Sequence, residues 1–194
     1  MSTPSRATVV KGAAWAIPTI ALASAAPATA ASPLPCPTVP GGSDWSLTYS
    51  GTLGLASTGA YSWNSTGTQW TVYRDNGSSS STLTFTTTTT ISNLIVGRSY
   101  SMRIPISWGY GNGVASQSTG ATARVIVDGT TVLSRATRSS AGLGTSPGGA
   151  TYTATSFTAT STSMQLQYQV IISAKTSQAN DDIIMSVPTF ANCV

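Results

Sequence analysis

Histidine and glutamate are both absent from the 194 residues of this chain. Without an imidazole there is no Ser-His-Asp or Cys-His pair and no histidine metal ligand. Five aspartates (Asp44, Asp75, Asp128, Asp181 and Asp182) hold all the acidic side-chain chemistry. Charge of either sign is scarce, at 7% of residues, against about 25% in an average soluble domain. The formal net charge is +4, but Arg6 and Lys11 lie in the leader described below, and the other basic residues are scattered. A nucleic-acid binder would cluster them in a stripe, so no nucleic-acid partner is expected. Long apolar runs are also missing. After the first thirty residues no segment approaches the ~20 apolar residues that span a bilayer as a helix, so no membrane span is expected in the mature chain.

Catalysis is constrained in the same way. A glycosidase needs two spaced carboxyl groups. Asp181 and Asp182 are adjacent, so on a strand they point to opposite faces. Asp128 precedes Gly129 in a turn signal, and Asp44 and Asp75 read as ordinary loop residues. Lys175 has no Ser-x-x-Lys spacing that would make a Ser–Lys dyad. The chain is expected not to be an enzyme.

What is abundant is hydroxyl. Ser and Thr supply roughly a third of the chain. They give solubility without charge, and Thr suits the solvent-facing side of a pleated sheet.

Residues 1–30 read as a signal peptide. Arg6 and Lys11 give a basic start, residues 12–23 an apolar core, and Ala28-Thr29-Ala30 a small-residue cleavage site after Ala30, with Ala31 as the alternative. A retained anchor is the competing reading, but the apolar run is short and Pro18 interrupts it. The protein is therefore expected to be secreted or held at the cell surface. Ser5-Arg6-Ala7-Thr8-Val9-Val10-Lys11 resembles a twin-arginine export motif, with Ala7 in place of the second arginine. Val9 to Trp15 is similar to leaders of actinobacterial secreted proteins.

Two cysteines remain, Cys36 just after the cleavage site and Cys193 next to last. In an exported protein such a pair reads as a disulfide, with free thiols as the alternative. It would tie the two ends of the mature chain together, so the terminal strands should end on the same side. Residues 31–42 are rich in Pro and Gly and read as an extended tail. Residues 43–194 form one domain.

That domain has a hydrophobic period of two. Trp45, Leu47 and Tyr49 alternate with polar residues. So do Leu83 to Ile91, Tyr100 to Trp108, Ala123 to Val127, Met164 to Ile172, and Ile183 to Val187. Such alternation predicts half-buried antiparallel strands. Asp128-Gly129 is a two-residue hairpin signal. Val96-Gly97, Thr160 to Ser163 and the glycines of 142–149 mark further reversals. Pro105 predicts an edge strand or a bulge. The fold class is all-β, an antiparallel two-sheet jelly-roll sandwich of about eight strands.

Four steps of the sequence add a resemblance. Leu94, Gly97 and Tyr100 follow Ile91-Ser92-Asn93. Val127-Asp128-Gly129 forms a central hairpin. Phe157-Thr158-Ala159-Thr160-Ser161-Thr162 precedes Leu166. Asn180-Asp181-Asp182-Ile183 opens the closing strand. In this order they resemble secreted galactose-binding-like jelly rolls, a family that includes many carbohydrate-binding modules. The resemblance covers residues 91–187. Residues 43–82 match nothing in it, and Ser186 falls near where the family carries a further Asp. The resemblance implies a structural Ca²⁺ held by Asp181 or Asp182, with Asp44 as a partner. The alternative is that Asp181 and Asp182 cap or solvate the turn before Ile183. No other cofactor is expected.

Aromatic residues carry the binding hypothesis, because sugar rings lay their C–H faces on aromatic planes while polar neighbours orient the hydroxyls. Tyr61, Trp63 and Trp70 lie in a Gly/Ser/Asn-rich context, and Tyr110 in a glycine-flanked loop. Arg74, Asn64 and Asn112 are candidate hydrogen-bonding neighbours. For each ring the alternative is core or rim packing. Asn64-Ser65-Thr66 and Asn76-Gly77-Ser78 fit the N-glycosylation pattern, which here marks surface loops. The function expected is non-catalytic binding of a carbohydrate or cell-wall glycan. The alternative is a structural or adhesive surface protein without a small-molecule site.

Overall fold

The computed structural model describes residues 36–54, 61–110, 120–138, 142–143, 147–175 and 181–191. The proposed signal peptide, residues 1–30, lies outside them. So do Asn112 and Cys193.

The alternating stretches form strands, and the strands form two antiparallel sheets. In chain order they are β1 (Ser46–Ser50), β2 (Tyr61–Trp63), β3 (Gln69–Val72), β4 (Leu83–Ile91), β5 (Ser99–Tyr100), β6 (Met102–Tyr110), β7 (Ala121–Val127), β8 (Thr130–Ala136), β9 (Gly148–Thr153), β10 (Phe157–Thr158), β11 (Met164–Ile172), β12 (Asp181–Ser186) and β13 (Thr189–Phe190). A 3₁₀ turn, Gly42–Asp44, precedes β1. Sheet one has the order β1-β4-β11-β7-β8. In sheet two, β2, β3, β12 and β6 follow one another, β13 continues the line of β12 along β6, and β9 pairs the other side of β6. The short pair β5 and β10 is separate. The two-sheet antiparallel architecture is the one the alternation predicts, with thirteen strands among the described residues rather than about eight. Several are two- or three-residue pieces too short to show a period.

Burial follows parity. In β4 every odd-numbered residue from Leu83 to Ile91 is buried, including Thr87 and Thr89, and β11 buries the even-numbered residues from Met164 to Ile172. In β6 the buried residues are Met102, Ile104 and Ile106, and across the ladder Ile183 and Met185 of β12 join them. Together these side chains form one core between the sheets, and their removal from water is the main stabilising term. Asp128 and Gly129 both take positive φ between β7 and β8, as a primed hairpin turn requires.

Three expectations change. Pro105 lies inside sheet two, paired with Thr151 of β9. It is tolerated because the ladder on its other side breaks there: the pairing of β12 with β6 stops at Met185–Ile106 and that of β13 starts at Thr189–Arg103. Leu47 and Tyr49, expected as core, are exposed. Their strand is the outermost of sheet one, so the inward side of β1 is only partly covered. Asn76 is no surface acceptor. It is fully buried, and its amide donates to the carbonyls of Ser81 (2.7 Å) and Ser173 (3.0 Å) while accepting from Ser78 N–H (2.9 Å).

Both ends of the described chain attach near one loop. Thr38 exchanges backbone hydrogen bonds with Ser92, and Ala191 N–H donates to Ser101. Cys36 is exposed at one of these ends. The expected pairing with Cys193 falls outside the described residues.

Candidate functional site

The β2–β3 hairpin carries three of the candidate rings, and it turns all of them inward. Trp63 pairs with Trp70 across the hairpin, and Trp70 pairs with buried Met185. All three therefore share the inner face. Trp70 is 0% exposed and offers no ring face to a ligand. Its Nε1 is buried and finds no hydrogen-bond partner among the described residues. Trp63 is half-buried. Its indole N–H crosses the core to donate to Thr87 Oγ1 at 3.2 Å, and its ring lies 4.8 Å from Trp45, which lies 4.9 Å from Tyr168.

A glycine latch covers the rest of Trp63. A Cβ on Gly42 would lie 2.5 Å from Trp63 Cγ, so only glycine allows the backbone this close. Gly42 N–H donates to Gly67 O at 2.8 Å, and Gly67 has φ of +66°. Asn64 is committed to the same turn. Its Oδ1 accepts from Thr68 N–H (2.9 Å), Gln69 N–H (3.3 Å) and the Thr66 hydroxyl (3.1 Å). Beside this latch lies a surface pocket of about 320 Å³, lined by Gly41 to Ser43 and Trp63 to Gly67. It contains no charged side chain. Tyr61 stacks on Phe85 at 4.8 Å and meets the Tyr49 ring edge-on at 5.9 Å. It packs at the flank of the core.

The other end of β3 is different. Val72 pairs with Ile183, and both are fully buried. The next residues, Tyr73 and Asp182, therefore stand side by side on the outer face of sheet two. Gly109 follows Asp182 in the same row. Tyr73 is 37% exposed. Partial burial, and then the Asp182 carboxylate, push its phenol above its ordinary range. A Cβ on Gly109 would be 3.9 Å from Asp182 and would otherwise meet open space, so the row is a ring, a carboxylate and a bare floor. One row further in, Thr71 pairs with Ile184 and Ile184 with Ser107. This adds two hydroxyls and a small apolar surface.

Further sequence candidates fall at this end. Asp181 pairs with Tyr110 in the adjacent register position, though their side chains are outside the described features. Arg74 follows Tyr73 and is half-buried, with its Nε shielded from solvent. The structure thus places Arg74 and Tyr110, chosen for sugar binding, near Asp181 and Asp182, chosen for Ca²⁺. It does not bring in Asp44, which lies in the 3₁₀ turn against Gly67, before β3 rather than after it. Among the described residues no three carboxylate or thiol side chains gather to hold a metal ion. Tyr73, Ser107 and Gly109 were missed by the sequence analysis. Parity would have found Tyr73, since Trp70 and Val72 face in and the next residue must face out.

No helix among the described residues is long and apolar enough to cross a membrane. No family model matches the chain, and no curated protein matches it. Among the solved structures to which it is similar are three sugar-binding domains. The N-terminal cellulose-binding domain from Cellulomonas fimi β-1,4-glucanase C shares 18% identity over 84% of this chain and 99% of that one, with a TM-score of 0.39. A carbohydrate-binding module of the β-sandwich superfamily shares 11% over 77% of this chain and 57% of that one, with a TM-score of 0.39. The C-terminal sugar-binding domain of EclA shares 16% over 53% of this chain and 64% of that one, with a TM-score of 0.37. All three TM-scores lie below 0.5, so these likenesses assign neither fold nor function.

Proposed function

We propose that this is an exported, non-catalytic β-sandwich protein that binds a carbohydrate or cell-wall glycan on the outer face of sheet two. The observation that carries the proposal is the row Tyr73–Asp182–Gly109. Adjacent strands are about 4.8 Å apart, so the row spans roughly 10 Å. A sugar ring can lay its C–H face on Tyr73 while Asp182 accepts charge-assisted hydrogen bonds from its hydroxyls. Gly109 leaves room for the neighbouring ring, and Thr71 and Ser107 supply further hydrogen bonds. The raised phenol stays protonated at neutral pH, so Tyr73 acts as a platform and a donor. No cofactor takes part. Export rests on the leader residues Arg6, Lys11 and Ala28-Thr29-Ala30. As part of the same proposal, Cys36 and Cys193 pair as a disulfide, to be checked by non-reducing peptide mapping.

The test is co-sedimentation of the purified protein with peptidoglycan, chitin and cellulose. Retention on at least one polymer is expected, with Tyr73→Ala and Asp182→Asn each weakening it by tenfold or more and Tyr61→Ala leaving it unchanged. Retention that neither Tyr73→Ala nor Asp182→Asn reduces would move the site elsewhere. The structural or adhesive alternative is favoured by one specific observation, the outermost strand of sheet one.

A further inference from the structure

An open strand edge is a template for another strand, and proteins usually blunt it with lysine, proline, a bulge or a covering segment. β8, at one margin of sheet one, is covered. Thr155 N–H donates to Val132 O and Leu143 N–H to Ala136 O, each at 2.8 Å. β1, at the other margin, has none of these devices among the described residues. Among the described residues it pairs only with β4, all five of its residues are exposed, and Ser46-Leu47-Thr48-Tyr49-Ser50 contains no charge and no proline. Leu47 and Tyr49 are two of the four large hydrophobic side chains exposed among the described residues.

From this edge we infer that the protein forms a two-fold dimer by antiparallel pairing of β1 with β1 of a second copy. The occupant follows from the strand's own pattern. In a continuous sheet, residues directly opposite must share a face. Thr48 lies on the outer face with Thr86, its partner in β4, and Leu47 and Tyr49 lie inward with Thr87 and Phe85. The register that uses the whole strand places Thr48 against Thr48, Ser46 against Ser50, and Leu47 against Tyr49 on both sides of the axis. Every pair then matches like with like. Inward, two Leu47–Tyr49 pairs cover each other beside Tyr61, which already touches Tyr49. Outward, the hydroxyl rows continue across the axis from Thr86 and Thr88, whose hydroxyls accept from Gln169 and Gln167. The result is an isologous, closed contact and a ten-stranded sheet. β9 at the margin of sheet two cannot do the same, since its inward positions opposite Trp108 and Ile106 are Gly148 and Ala150. A five-residue edge buries little surface, so the dimer is weak and concentration-dependent. It leaves the Tyr73 face untouched and does not depend on glycan binding.

The test is sedimentation velocity of the purified protein over a concentration series, with Thr48→Lys and Thr48→Asp. The expected result is a concentration-dependent dimer, a tenfold or greater loss of affinity in each variant alone, and recovery when the two variants are mixed. Only a register that sets residue 48 against itself gives that recovery. Without any variant, the backbone amides of β1 should exchange more slowly at high protein concentration while those of β8 do not change. A monomer at the highest soluble concentration would overturn the inference. So would a dimer indifferent to both charges, a loss in the single variants that mixing does not repair, or β1 amides that exchange at the same rate at every concentration.

Discussion

The two ends of β3 carry rings with opposite fates. Before Val72, Trp70 is sunk in the core, and Trp63 opposite it is roofed by Gly42 and joined to Trp45 and Tyr168. After Val72, Tyr73 stands on the outer face beside a carboxylate. Both ends are aromatic and hydroxyl-rich, so composition does not separate them. Strand parity does. A ring in phase with Val72 closes the sandwich, and a ring one position out of phase meets solvent, where it can meet a ligand.

The largest effect that could break this comparison is on stability. Trp70→Ala should cost about 3–5 kcal/mol by transfer loss and cavity formation, whereas Tyr73→Ala should stay within about 0.5 kcal/mol, as an outward surface change. Urea denaturation of both variants decides it, and similar costs would mean that Tyr73 is also a packing residue. Gly42→Ala comes next. Its methyl group collides with Trp63, and overpacking of this kind costs about 1–3 kcal/mol. A thermal melt no lower than wild type would show that Trp63 is not held by the glycine. Trp70→Phe should cost less than Trp70→Ala, because it keeps most of the ring and removes an N–H that is buried without a partner among the described residues.

The smallest effect concerns alkaline pH. Burial pushes the Tyr168 phenol well above its ordinary range, and its hydroxyl donates to Ser186 O at 2.9 Å. In the unfolded chain the phenol ionises near pH 10. Above that pH the unfolded state holds fewer protons than the folded one, so stability falls as pH rises. The contribution is complete below the unfolded value and is lost as pH climbs toward the folded one. Tyr168→Phe should flatten the alkaline limb of a stability profile, and Tyr73→Phe should do so less, because its phenol is only partly buried. Equal flattening by both would contradict the difference in burial.

Much of the fold was legible because its long strands keep strict alternation. β4, β6, β7 and β11 each fix their inward residues by parity, and Asp128-Gly129 fixes one turn. The short strands were not legible. Two or three residues carry no period, and β9 looks like a loop because it opens with Gly148-Gly149. Leu47 and Tyr49 misled because alternation reveals which side faces in, not whether another sheet lies over it. For the candidate site, the sequence supplied Arg74, Tyr110, Asp181 and Asp182 but could not join them, since strands far apart in the chain bring them together. It overvalued Trp63 and Trp70, whose glycine-rich setting serves the latch over Trp63.

The most direct test of the central claim is an amide-resolved NMR titration of the protein with soluble fragments of whichever glycan retains it. The account predicts shifts centred on Thr71, Tyr73, Ser107, Gly109 and Asp182, with the outer face of sheet one at Thr86 and Gln167 unmoved. Shifts confined to the pocket beside Trp63, or to Leu47 and Tyr49, would contradict it.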